Sequence, residues 1–90
     1  MEIYVVSYDL KSDQNPNYEG VSAALEKCGA VNHFQKSVCL VASSISAKEI
    51  RDVVAPVLNE EDTLFVSRMG VGWAGWRTRV AAWIEVMKAK

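Results

Sequence analysis

The apolar residues of this chain change their spacing several times along the sequence, and that switching constrains the fold more than any single motif. Glu2–Asp9 (EIYVVSYD) is rich in β-branched and aromatic residues, with Ile3 and Val5 on one face and Tyr4, Val6 and Tyr8 on the other. Both faces are partly apolar, which predicts a central strand. The following LKSDQNPN is polar, contains a proline and reads as a loop. From Pro16 the period lengthens: Tyr18, Val21, Leu25 and Cys28 recur at helical spacing, and Ala24 fills the same stripe. Pro16 suits a first helical position with Asn15 as its cap, and Gly29 suits the stop.

Period two then returns. Residues 30–35 and 37–43 read as two strands joined near Gln35-Lys36, a turn that lacks the usual Gly or Asn. Ser46-Ala47-Lys48-Glu49 is a capping box, flanked by Ile45 and Ile50 as a hydrophobic staple. The helical stripe runs on through Val53, Val54, Val57 and Leu58, but Pro56 predicts a kink or an early stop. Residues 62–69 (DTLFVSRM) form the fourth strand, with Leu64 and Val66 on one side and Phe65 and Met69 on the other. Gly70, Gly72 and Gly75 interrupt the chain around Trp73. From Trp76 onward, Val80, Trp83, Ile84 and Met87 make a last helical stripe ending in basic residues.

The order is therefore β-α-β-β-α-β plus a C-terminal helix. It predicts an α+β, ferredoxin-like sandwich: a four-stranded antiparallel sheet with both crossover helices on one face. Residues 1–69 would form the core. Residues 70–90 would supply a Gly/Trp linker and an amphipathic helix of the same domain. The second sheet face is too apolar to stay wet, so the C-terminal helix, a second subunit or both should cover it.

Composition narrows the classes. Half the residues are hydrophobic and 23% are charged, a globular balance and not a disordered one. No apolar run approaches the ~20 residues of a membrane-spanning helix, and the N-terminus opens directly into a strand. A soluble cytoplasmic protein is expected. Cys28 and Cys39 are too few and too far apart for a zinc motif, and read as buried thiols. The net charge of -1 conceals an asymmetry. Through residue 67, five Lys/Arg stand against ten Asp/Glu; beyond it, five stand against Glu85 alone. Arg68, Arg77 and Arg79, with Trp73 and Trp76, form a Trp/Arg cluster suited to stacking on bases or binding phosphate. The reading favoured for these tryptophans, with Trp83, is packing in the core or at a dimer contact, where they would pin the last helix to the sheet. His33, the one histidine, falls in a strand-like segment and reads as a surface or sheet-edge residue.

Several short segments carry a resemblance: Ser7-Tyr8-Asp9-Leu10, the SAKEIRD stretch from Ser46 to Asp52, the Asp62-Thr63-Leu64-Phe65-Val66 strand and the Trp73-Ala74-Gly75-Trp76 run. The opening strand is similar to that of the CRISPR-associated Cas-two proteins. The chain as a whole resembles the short SinR-like proteins of that fold and, more remotely, the VapD-type toxin ribonucleases. The resemblance implies a homodimer. In nuclease members it implies a role for Asp9, whose two copies near a dimer axis would share one Mg²⁺. Three readings follow: a dimeric interaction or scaffold protein that needs no cofactor and has a role in mobile-element or defence biology, a Mg²⁺-dependent nuclease using paired Asp9, and a nucleic-acid binder without catalysis. The acidic body favours the first.

Overall fold

The computed structural model describes residues 1–11 and 16–90. Its elements are β1 (Glu2–Asp9), α1 (Tyr18–Cys28), β2 (Ala30–Asn32), β3 (Val38–Ser43), α2 (Ala47–Val54), β4 (Thr63–Arg68) and α3 (Ala81–Lys88). The strands form one antiparallel sheet in the order β2-β3-β1-β4. β1 is central, as its two apolar faces require. Its backbone alternates between neighbours: the Tyr8 N–H donates to the Ser37 carbonyl on the β3 side, and the Met69 N–H donates to the Ile3 carbonyl on the β4 side.

Each sheet face has its own core. Tyr4, Val6, Tyr8, Cys39 and Val41 point toward α1 and α2 and pack with Val21, Ala24, Leu25, Ile50 and Val54. Ile3, Leu40 and Ala42 point the other way and pack under Val80 and Ile84 of the C-terminal segment. The C-terminal helix therefore covers part of the second face, as its stripe predicts, and Met69, Trp83 and Met87 pack around it. No helix among the described residues is long and apolar enough to cross a membrane.

The capping box is complete. The Glu49 N–H donates to Ser46 Oγ at 3.1 Å, and the Ser46 N–H donates to Glu49 Oε1 at 3.1 Å. Ile45 and Ile50 both belong to the α1/α2 core. Ser46→Ala is expected to lower stability by about 1 kcal/mol, read as a shift of roughly 4–8 °C in the thermal midpoint. Pro56 acts as its chemistry dictates: α2 ends at Val54, and Ala55–Val57 tightens into a single 3₁₀ turn.

Four expectations are corrected. The cap of α1 is Asn17, whose Oδ1 accepts the Gly20 N–H at 3.1 Å, so Pro16 precedes the helix; Asn15 lies outside the described residues. β2 ends at Asn32 and not at residue 35, because Phe34 leaves the ladder to pack against the α3-side core. β4 covers Thr63–Arg68, one residue shorter at each end than expected. α3 begins at Ala81 and not at Trp76, since Arg77 and Arg79 have φ of 60° and 58°, left-handed values that no helix of L-residues continues through.

Burial pushes the Cys39 thiol up to about 12 from its ordinary 9.0, and raises Tyr8 above 10.0 by the same desolvation, with smaller contributions from Cys39 and Tyr18. Both groups are acids held neutral in the fold and free to ionise once it opens. The stability these two groups contribute is therefore fully present below about pH 9 and is lost as pH rises from there toward 12. Chemical denaturation at pH 7.5 and 10.5 should show a lower midpoint at the higher pH, and Cys39→Val should flatten the dependence.

Candidate functional site

The candidate residues separate into three places. Asp9 ends β1 on the α3-side face of the sheet, opposite Thr63. Its carboxylate is exposed and ion-paired with Lys11 at 2.8 Å. The hydrogen bond and charge of Asp9 raise the Lys11 ammonium above its usual 10.5. One Asp9 oxygen is thus taken by a cation. Among the described residues no three His, Cys, Asp or Glu side chains gather into a metal-holding group. Mg²⁺ takes six oxygens, of which a protein usually supplies one or two carboxylates and water or phosphate the rest. Among the described residues one chain thus offers Asp9 as a lone carboxylate, and the further oxygens of a bound Mg²⁺ would have to come from a second copy, from water or from a phosphate.

Arg68, at the end of β4, leans toward Glu2 at 3.8 Å with its side chain 69% exposed. The other two arginines lie in the left-handed turn before α3. The Arg77 guanidinium stacks over the Trp76 ring at 4.6 Å from the centroid. This is the arrangement a cation–π pair requires, and Trp76 is 80% exposed. The Trp/Arg cluster is thereby split: Arg68 points toward Glu2, Arg77 caps Trp76, and Trp73 turns to the sheet. Trp76 does not pack into the core of its own chain.

Trp73 lines a groove of about 160 Å³ on the α3 side of the sheet, with Val5, Phe34, Leu40, Met69 and Val80. The groove is apolar because odd-numbered residues of β1 and even-numbered residues of β3 face it. Along the same face, beyond Ser67 on β4, lies Phe65, 67% exposed. The second sheet face is thus half covered: α3 protects Ile3, Leu40 and Ala42, while Phe65 remains in water, as does Trp76 in the turn before α3.

Two contacts had no signal in the sequence. His33, just past β2 and exposed, shares a 3.0 Å hydrogen bond with Ser22 Oγ on α1. The pair ties the end of β2 to the helix above it. Lys11 and Asp62 are also joined: the Lys11 N–H donates to Asp62 Oδ1 at 2.8 Å, and the Asn59 N–H donates to Oδ2 at 2.8 Å. Asp62 thereby fixes the loop entering β4.

Comparison with known proteins finds no matching family model, curated protein or solved structure.

Proposed function

We propose that the protein is a small homodimeric interaction or scaffold module on a ferredoxin-like sheet, of the Cas-two and SinR-like kind, and that it acts by contact and not by catalysis. The observation that carries this reading is the half-covered sheet face, where Phe65 is 67% exposed, together with Trp76, 80% exposed in the turn before α3. A monomer gains nothing by holding large aromatics in water; an interface buries them. The four-stranded antiparallel sheet, with α1 and α2 packed on one of its faces, supports the split-βαβ reading. The sequence segments around Asp9, Ser46 and Trp73 supply the family resemblance.

Among the described residues no second carboxylate gathers with the ion-paired Asp9 into a metal-holding group, which favours the module reading. Light scattering over a concentration series tests the module reading. The expected result is a molar mass twice the 10.0 kDa of one chain at micromolar concentrations and above. A mass of one chain throughout would overturn it.

A further inference from the structure

The structure assigns the dimer contact to the free edge of β4, paired antiparallel with β4 of a second copy about a two-fold axis at Phe65. This inference rests on the homodimer reading and names the surface that makes it.

The backbone fixes which groups are available. Met69 donates to Ile3, and Ile3 lies in register with Met69 as Val5 does with Ser67 and Ser7 with Phe65. In an antiparallel ladder such pairs exchange both backbone hydrogen bonds. The odd-numbered residues of β4 therefore turn their N–H and C=O groups toward β1. Leu64, Val66 and Arg68 turn theirs outward, where no other strand among the described residues meets them. A strand edge of this kind, with no proline and with an exposed phenylalanine, is a template for strand addition.

The side chains choose the occupant. With the axis at Phe65, each residue meets a partner of matching chemistry. Leu64 lies opposite Val66 of the second copy and exchanges both backbone hydrogen bonds with it. Phe65 lies opposite Phe65, in a position where side chains approach most closely. Ser67 meets Thr63. Arg68, loosely held by Glu2, meets Asp62 at the mouth of the acidic Glu60-Glu61-Asp62 loop. The strand carries its negative end first and its positive end last, so antiparallel self-pairing joins opposite charges at both ends. Parallel pairing would set Arg68 beside Arg68.

The layers also continue. Four strands at about 4.8 Å span nearly the width of two packed helices at about 9–10 Å. A second copy can extend the helix layer together with the sheet. α2 presents Lys48 and Arg51 beside the edge, and Arg51 is already paired with Asp52 at 2.8 Å.

This dimer is incompatible with a shared metal at Asp9. Asp9 stands one strand inward and two residues from the axis, which places its two copies roughly 20 Å apart, several times the span of one ion's ligand shell.

Two substitutions at Phe65 test the pairing, and the exposure of this side chain spares the fold. Phe65→Cys should form an intermolecular disulfide under mild oxidation, because directly opposed Cα atoms at such a position lie about 4.5 Å apart. Ser67→Cys, whose copies would be separated by about four residues along the strand, should not, and peptide mapping distinguishes either product from links through Cys28. Phe65→Lys sets like charges face to face and should raise the dissociation constant by about tenfold or more, with circular dichroism unchanged. A wild-type dimer that survives Phe65→Lys intact, or that links through Ser67→Cys and not Phe65→Cys, overturns the β4 contact and leaves the homodimer reading standing. A monomeric wild type overturns both.

Discussion

Gly29→Ala is expected to lose about 3 kcal/mol of stability, the upper end of what overpacking costs. Gly29 joins α1 to β2 where the chain passes against β3. A Cβ there would lie 2.0 Å from the Ala42 carbonyl oxygen and 3.3 Å from the Ser43 Cα. Both are main-chain atoms of a central ladder, so no flexible side chain can move aside. The backbone is extended at this position, with φ of 162°, so the cost comes from the collision and not from the conformation. The same junction holds the buried Ser43, whose Oγ donates to the Cys28 carbonyl at 2.6 Å and accepts the Ile45 N–H at 3.2 Å. Any shift that relieves the clash disturbs these bonds as well. Urea unfolding followed by circular dichroism measures the loss. A change below about 1 kcal/mol would mean that the α1–β3 contact is looser than described.

The second large effect concerns the face under α3. Ile84 is fully buried against the sheet, and Val80 is nearly so. Ile84→Ala is expected to cost about 2–4 kcal/mol, the transfer energy of the removed carbons plus the cavity they leave. Small domains of this size have roughly 5–10 kcal/mol in total, so the variant should unfold at markedly lower urea. Trp83 packs at the same contact, and its fluorescence should shift to the red if α3 loosens before the sheet melts. A loss below about 0.5 kcal/mol would show that α3 contributes little to the second core.

The parts of the fold that were legible in the sequence share one property: local chemistry and tertiary packing agree there. The Ser46–Glu49 box, the stop at Pro56 and the Val80–Ile84–Met87 stripe each follow from the covalent structure of a few neighbouring residues. The central position of β1 follows from its two apolar faces. Where several local solutions had similar merit, the sequence could not choose. Asn15 and Asn17 flank Pro16, and only the donated Gly20 N–H identifies Asn17 as the cap. Phe34 suits a strand, but the α3-side core claims it and β2 stops short. Residues 76–79 carry no local helix breaker, yet both arginines adopt left-handed backbone and delay α3.

The candidate site was legible only by position. Asp9 is where an end-of-strand acid should be, while the turn that holds Trp76, Arg77 and Arg79 before α3 reads as helix in the sequence. Their partners were not legible, since the Asp9–Lys11 pair and the Arg77–Trp76 stack depend on side-chain direction. The exposure of Phe65 was equally invisible, because its face, shared with Met69, is expected from the sequence to be covered by the last helix or a second subunit. Only the sheet order reveals that β4 has a neighbour on one side alone.

The most direct measurement of the account is amide hydrogen exchange along β4. The Phe65 and Ser67 amides bond to β1 and should exchange slowly at every protein concentration. The Leu64 and Val66 amides point away from β1 and gain a partner only from a second copy. Their exchange is predicted to slow by an order of magnitude or more as concentration is raised through the association range. Leu64 and Val66 amides that exchange at the rate of open peptide at every concentration, while Phe65 and Ser67 stay protected, would contradict it.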